Sequence, residues 1–347
     1  MLSFPQFCGT SVTKHQLRRS CKDNRNTSSP KAFTCNKYYL RQKGYYLVVL
    51  KNIIMKRIIF LTCLLSFILI STSSFAHPGS GIVVDKLGNI YFTDTGKGIW
   101  KINTQGQLTY IPAPRFHWMT IDTIGSFSKS PKSFGQHFEK ITDKNADHAL
   151  IMCSDFPLVE NNDGNIYYAD TRHSSAKIIR RAPGGQESVI AADKIFEYIN
   201  GIAVGQDGSL YITEASNPGI STIRKITMDG NVPVVATFRG NEKIDPPLET
   251  VPSYCRGLFI DAQGFIFVAA TGSRSVLKIS PEGKISTILQ ESNPWTPTGV
   301  VVYHGEVFVL EWHDVPASLS EVRTAYIPRI QKIGSDGKVT TIATVSR

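Results

Sequence analysis

Five segments of this chain repeat one pattern, and an internal repeat constrains the fold more strongly than any other sequence feature. In each segment an apolar strand is joined by a glycine-containing turn to a strand of alternating aromatic and β-branched residues, which is typical of a β-hairpin. A second turn with glycine follows every segment, so each repeat predicts two hairpins and therefore four antiparallel strands. The segments are Gly81-IVVDKLGNIYFTD, Pro157-LVENNDGNIYYAD, Gly201-IAVGQDGSLYITE, Gly257-LFIDAQGFIFVAA and Gly299-VVVYHGEVFVLE.

The spacing of the repeats predicts an all-β fold, a six-bladed β-propeller of four-stranded antiparallel blades. Neighbouring repeats lie about 40 to 55 residues apart, except for one doubled gap, which a diverged unit around His117 fills. Radial repetition buries the sheet faces between neighbouring blades and leaves only short edges. We expect whole blades in chain order, with the ring closed by packing between the first and the last. The blades are predicted to start near Ser80, His117, Phe156, Asn200, Arg256 and Thr298.

The positive charge of the chain lies in front of this repeat region. The formal net charge is +10, but residues 1–57 hold twelve Lys and Arg against the single Asp23, a net +11, which leaves −1 for residues 58–347. A nucleic-acid partner is therefore not expected for the folded part. We predict a small molecule or a peptide as its partner.

The front segment has the parts of a secretory signal peptide. Met55-Lys56-Arg57 precedes an apolar run over residues 58–70 and a small-residue cleavage signal that ends at Ala76. We predict an over-extended, disordered translation start over residues 1–54, a signal peptide over 55–76 and an exported propeller over 77–347, periplasmic or secreted. No membrane span is expected after cleavage, although a signal anchor is an alternative. Two cysteines, Cys153 and Cys255, would remain, either bridged or as buried thiols.

The repeat pattern, a glycine and an apolar strand followed by D-x-x-G and an aromatic strand, resembles the NHL repeat. The six-unit chain is similar to the gluconolactonase-like superfamily of propellers over residues 77–347. This resemblance implies the fold, and it implies a metal-dependent lactone or ester hydrolase as one possible activity. In such enzymes a Glu, an Asn and an Asp hold a divalent cation such as Ca²⁺. Asn200-Gly201 matches the Asn position, whereas Ser80 and Arg256 occupy the positions expected for the two acids.

The candidate site lies on one face of the predicted ring. The starts of the inner strands and the ends of the second strands share a face, so their polar side chains should converge at the mouth of the central channel. Asp94 and Asp170 could cap turns or contact a ligand. For Asn200 the alternative to ligand binding is a structural role at the entry of the strand, and for His117 it is packing in the core. The predicted ligand-binding residues are Ser80, His117, Asn200, Arg256, Thr298, Asp170, Arg172 and His313.

Three functions fit these residues. The first is binding of a small polar or anionic molecule, with Arg256 presenting its planar fork to a carboxylate or phosphate. The second is metal-assisted lactone or ester hydrolysis, with Asn200 as the metal ligand and His117, Glu214 and Glu311 as candidate catalytic residues. The third is a protein-interaction platform in the cell envelope. Arg256 can instead pair with Glu214 or Glu311.

Overall fold

The computed structural model assigns the compact unit Phe75–Arg347 separately from Met1–Ser74. The predicted signal peptide and translation start fall outside the described residues, apart from three helical residues. No helix in the described part of the chain is both long and apolar enough to span a membrane. The structure describes residues 54–56, 78–125, 127, 138–143, 146–170, 176–192, 196, 198–216, 220–239, 255–313 and 327–346.

The described residues of the compact unit form six antiparallel sheets, which confirms the predicted all-β, six-bladed β-propeller. In the described residues, five of the sheets have four strands in chain order, so the first and the last strand form the two edges of each sheet. The strands of the first three sheets are β1 (Ile82–Val84), β2 (Ile90–Asp94), β3 (Gly98–Ile102), β4 (Leu108–Pro112), β5 (Trp118–Asp122), β6 (Phe138–Thr142), β7 (Ala149–Cys153), β8 (Leu158–Glu160), β9 (Ile166–Asp170), β10 (Lys177–Arg181) and β11 (Glu187–Ala192).

The last three blades have the same order of four strands. A single turn of 3₁₀ helix, Thr271–Ser273, joins the second and third strands of the fifth blade. The strands are β12 (Tyr198–Val204), β13 (Leu210–Ser216), β14 (Ile220–Ile226), β15 (Val234–Arg239), β16 (Leu258–Ile260), β17 (Ile266–Ala270), β18 (Ser275–Ile279), β19 (Ile285–Gln290), β20 (Trp295–Tyr303), β21 (Glu306–His313), β22 (Ile327–Ile333) and β23 (Val339–Thr344).

The second blade departs from the repeat. In its described residues it has three strands in the order β5-β7-β6, so the chain crosses from the inner strand to the third position before it returns as the second strand. The predicted unit around His117 does supply the inner strand, β5. The crossing strand β6 lies within the polar stretch between residues 126 and 148, where the repeat pattern is absent. Four strands in chain order were expected there because the other repeats predict them, and the sequence of this stretch does not indicate the crossing.

Apolar side chains fill every interface between neighbouring blades. Among the described residues six buried clusters occur, and each joins residues of two adjacent sheets, including the first and the sixth. The second strands β2, β7, β9 and β17 are buried along their whole length, because a sheet inside a propeller has a neighbour on both faces. Cys153 and Cys255 are buried within these clusters and are not bridged to each other.

The inner strands approach one another closely where each begins. A Cβ added to Gly257 would lie 2.6 Å from the Cα of Gly299, and one added to Gly299 would lie 2.5 Å from the carbonyl oxygen of Ser80. These distances are shorter than van der Waals contact, so glycine is required at both positions. The glycines that open four of the repeats, Gly81, Gly201, Gly257 and Gly299, therefore let neighbouring blades meet around the axis.

The ring closes between the first and last blades without exchange of a strand, as predicted. Thr298 Oγ1 donates a hydrogen bond to the carbonyl oxygen of Gly79 at 2.7 Å, and Trp312 Nε1 donates to the same oxygen at 2.8 Å. Tyr303 adds a bond from its hydroxyl to the Lys86 carbonyl oxygen at 3.0 Å. Buried hydrogen bonds and apolar packing thus replace the backbone pairing that a shared blade would provide.

Candidate binding site at the channel mouth

Three residues predicted from three different repeats line one pocket at the mouth of the ring. His117, Asn200 and Arg256 precede or begin the inner strands of the second, fourth and fifth blades, and their shared pocket has a volume of about 210 Å³. We call it the mouth pocket. Its lining residues are His117, Trp118, Ser154, Asp155, Pro157, Tyr198, Ile199, Asn200 and Arg256.

A β-bulge positions Asn200. In the pairing of β12 with β13, Ile199 lies opposite Glu214 and Gly201 lies opposite Thr213, so Asn200 is the extra residue without a cross-strand partner. A bulge bends the strand and redirects the side chain of the extra residue. Because the bulge immediately precedes the close-packed glycine, it turns the Asn200 amide toward the mouth rather than into a sheet face.

The Arg256 side chain is anchored across the ring. Its Nη1 donates a hydrogen bond to the carbonyl oxygen of Pro78 at 2.8 Å, and only 9% of the residue is exposed. A guanidinium has five donors in a fixed plane, so this bond to a carbonyl fixes the orientation of the side chain. Arg256 also lines the central channel, so its charge acts on both cavities.

The hydrogen bond of His117 determines its tautomer. Nδ1 lies 2.9 Å from the carbonyl oxygen of Ser154. Since a carbonyl only accepts, Nδ1 carries the hydrogen, and in the neutral ring the lone pair resides on Nε2. The imidazole is therefore held in one orientation by the backbone of the second blade.

Below the mouth pocket the inner strands of all six blades surround a channel of about 300 Å³. Ser80 and Arg256 lie at its mouth end, and Glu160, at the end of β8, lies at its far end. Thr123 donates its backbone N–H at 3.1 Å to Glu160 Oε1. Burial and the negative charge of Asp122 together raise the pKa of Glu160 to about 7, against the opposing effects of the Thr123 hydrogen bonds and of Lys140.

Sequence reasoning missed Glu160, although the repeat contains the signal. Aligned on the opening glycine or proline, the fourth residue is Val84 in the first blade, Val204 in the fourth and Ile260 in the fifth, but Glu160 in the third. A single acid at an otherwise apolar repeat position indicates either a pairing or a functional role. Tyr198 and Asp155 at the mouth were also missed, because neither stands at a repeated position.

Two predicted catalytic acids belong to structural ion pairs. Glu214 Oε2 accepts a hydrogen bond from Arg224 Nε at 2.7 Å, and Glu311 Oε2 accepts one from Arg329 Nε at 2.6 Å. Neither acid lines the mouth pocket or the channel. The predicted convergence at the mouth is therefore wrong for these two residues, because each turns toward an arginine on the third strand of its own blade.

Each acid bonds to an arginine of its own blade, and the alternative pairing of Arg256 with one of them stays a prediction. Glu311 is fully buried. Burial raises its pKa to about 7, while Arg329 opposes the change. Arg329 also lies over the ring of Trp295 at 3.9 Å and bonds Glu291 at 3.0 Å, so the whole cluster is a packed polar network.

The remaining predicted residues are dispersed. Ser80 lines the channel, and Thr298 is buried, with its hydroxyl engaged in ring closure. Asp170 is buried at the end of β9, and His313 packs against Trp295 with ring centroids 5.2 Å apart. Arg172 lies outside the described residues.

Asp94 has the turn-cap role given above as an alternative. Its Oδ1 accepts the backbone N–H of Gly96 at 2.8 Å, and its Oδ2 accepts Trp100 Nε1 at 3.0 Å. Both carboxylate oxygens therefore stabilise the turn into β3.

The residues at the mouth do not fit a divalent cation. Over the described ranges, no three His, Cys, Asp or Glu side chains come together as a metal site. Asn200 shares its pocket with the permanent charge of Arg256, which repels a cation. The metal ligand set that the family resemblance implies is thus not reproduced around Asn200.

Compared with models of known families and with curated proteins, the chain gives no match. Among solved structures, a virginiamycin B lyase from Staphylococcus aureus is 18% identical, with 78% of this chain and 85% of that one covered and a TM-score of 0.45. A luciferin-regenerating enzyme is 17% identical, with 73% and 91% covered and a TM-score of 0.48. A gluconolactonase from Xanthomonas campestris is 12% identical, with 72% and 71% covered and a TM-score of 0.36. The structural neighbours thus include the gluconolactonase-like class that the repeats resemble, and the likeness concerns the fold.

Proposed function

We propose that this propeller binds a small carboxylate-bearing molecule in the mouth pocket. The observation that supports this proposal is the meeting of His117, Asn200 and Arg256 in one cavity of about 210 Å³. These residues come from three blades and are up to 139 positions apart in the sequence, so only the closed ring brings them together.

The chemistry of the lining favours one carboxylate rather than several. Arg256 can present two parallel N–H groups to a carboxylate, and such bidentate pairs are stronger than neutral hydrogen bonds. The Asn200 amide both donates and accepts, which suits a hydroxyl or amide next to the carboxylate. Asp155 in the same pocket repels a second anionic group. Tyr198, 71% exposed, and Trp118 offer aromatic surface at the rim.

The proposal is tested by calorimetric titration with D-gluconate, acetate and a neutral analogue of each. Arg256→Gln should weaken carboxylate binding about tenfold or more, because it removes a charge-assisted contact. The matched control is Arg180→Gln, an exposed arginine on β10 that lines neither the mouth pocket nor the channel, and it should leave the affinity unchanged. Equal binding by the wild type and Arg256→Gln, or no preference for carboxylates over their neutral analogues, would remove the proposal.

The metal-dependent lactone hydrolase remains a competing hypothesis. Its test is the metal content of protein purified without chelator, together with lactone and ester turnover. A stoichiometric metal that is lost in Asn200→Ala would support it over carboxylate binding.

We further propose that the propeller is exported after cleavage near Ala76. The charged start and the apolar run over residues 58–70 support this, and the amino terminus of the mature protein tests it. A mature chain that retains residues 58–70 would contradict cleavage and favour an anchor.

A further inference from the structure

The central channel connects two ends of opposite charge. The inner strands begin side by side at the mouth and end side by side at the far end, where Thr120 and Thr123 bond to Glu160. Arg256 lies at the mouth end and Glu160 at the far end of the same cavity. From Pro157 to Glu160 there are three residue steps, so the ends lie roughly 10 Å apart at about 3.3 Å per residue.

The negative end has an acceptor that the described protein leaves unused. Asp122 is paired with Lys140 Nζ at 3.1 Å, so that cation is already engaged by another acid. Glu160 Oε1 accepts from Thr123, but Glu160 Oε2 is buried and has no hydrogen-bond partner. At the other end of the channel, Ser80 is only 5% exposed, and its hydroxyl also has no hydrogen-bond partner. Both atoms belong to residues that line the channel.

The wall between the two ends is formed by strand edges. Each inner strand is at the end of its sheet, so in the described residues one of its backbone edges has no strand partner. Such an edge presents alternating N–H and C=O groups that an extended peptide can pair with. The cavity of about 300 Å³ corresponds to roughly ten water molecules at about 30 Å³ each. Only small side chains are compatible with that volume.

We propose that the ligand of the mouth pocket is the carboxyl end of a short, extended, zwitterionic peptide, whose amino group reaches Glu160 through the channel. This inference rests on the proposed function, because it uses Arg256 as the carboxylate partner. Three extended residues span roughly 10 Å at about 3.3 to 3.6 Å per residue, which matches the distance between the two ends. The peptide ammonium supplies the donor that Glu160 Oε2 lacks, and the peptide backbone pairs with the free strand edges.

Calorimetric titrations of the full chain at pH 8, where Glu160 is ionised, test the proposal. The probes are tri-alanine, N-acetyl-tri-alanine, tri-alanine amide and 8-aminooctanoate. In the wild type, N-acetylation should weaken binding about tenfold or more, because it removes the charged donor. Amidation should weaken binding similarly through loss of the contact with Arg256. The aminooctanoate, which keeps both charges but has no peptide groups, should bind more weakly than tri-alanine.

The variant Glu160→Gln separates this inference from the proposed function. It should bind tri-alanine and N-acetyl-tri-alanine about equally, whereas Glu306→Gln, a matched change at a surface ion pair, should keep the wild-type preference. Equal binding of these two ligands by the wild type, still dependent on Arg256, would overturn the channel inference and leave the mouth site standing. Equal binding of aminooctanoate and tri-alanine would overturn the backbone pairing. If no carboxylate probe depends on Arg256, both proposals fail.

Discussion

The half-buried carboxyl of Glu160 makes the stability of the propeller depend on pH, and Glu160→Gln should remove its share of this dependence. Burial and Asp122 raise the pKa of Glu160 from its ordinary 4.5 to about 7. The folded protein therefore holds this proton more tightly than the unfolded chain does. The free energy of unfolding contributed by this group is fully present below pH 4.5, falls between pH 4.5 and 7, and is constant above that range.

The size of the effect follows from the same two values. A pKa raised from 4.5 to about 7 corresponds to about 3.4 kcal/mol, at about 1.36 kcal/mol per pH unit. Because the carboxyl borders the channel and is only half-buried, solvent screening reduces this, and we expect about 1.5 kcal/mol. Glu311 also has a pKa of about 7 and contributes with the same sign. The quantity to compare is therefore the difference between the wild type and the variant.

Urea unfolding followed by circular dichroism at intervals from pH 4.5 to 8.5 measures that difference. Relative to the wild type, Glu160→Gln should gain about 1.5 kcal/mol between the acidic and alkaline limits, since its amide does not ionise. Glu306→Gln, at an exposed ion pair, should follow the wild-type profile. Parallel profiles for the wild type and Glu160→Gln would refute the argument that Glu160 is desolvated.

Two further predictions concern the contacts between neighbouring blades. Thr298→Val removes a buried donor to a carbonyl of the first blade and should lower the unfolding free energy by about 1 to 3 kcal/mol in urea unfolding, whereas Thr109→Val, on an outer strand, should have little effect. Gly257→Ala should lower the melting temperature, because its Cβ would lie 2.6 Å from the Cα of Gly299, with a cost of about 1 to 3 kcal/mol or more. Gly184→Ala is the control, since nothing lies within 4 Å of an added Cβ there, and equal melting temperatures for the two alanine variants would contradict the close packing.

The repeats were sufficient to predict the propeller because five of the six blades share the same pattern of strands and glycine-containing turns. Gly164 and Gly283, for example, adopt the left-handed conformation at the tips of a first and a second hairpin, as the sequence predicts. The second blade shows the limit of this reasoning. Strand β6 has no counterpart in the repeat, so its crossing into the third position is determined by contacts with β7 rather than by local pattern.

The candidate site was predictable in part, from position rather than from residue type. His117, Asn200 and Arg256 stand where inner strands begin, and that placement alone predicted their meeting. The acids Glu214 and Glu311 were expected there as well, but residue type at a strand end does not tell which neighbour the side chain faces. The direction of each acid is determined by its ion pair with an arginine on the neighbouring strand, and that pairing depends on the register of the second and third strands.

The positions before the close-packed glycines show how one repeat supplies both structure and function. Asn200 and Thr298 are both the extra residue of a β-bulge, in the fourth and sixth blades. The sixth blade must bond to the first to close the ring, and the hydroxyl of Thr298 is used for that bond. The fourth blade has chain neighbours on both sides and no such requirement, so Asn200 lines the mouth pocket instead. The residues proposed to bind the ligand, His117, Asn200 and Arg256, therefore belong to blades other than the two that closure joins, and substitution of Asn200 should alter the proposed ligand contacts at little cost in stability.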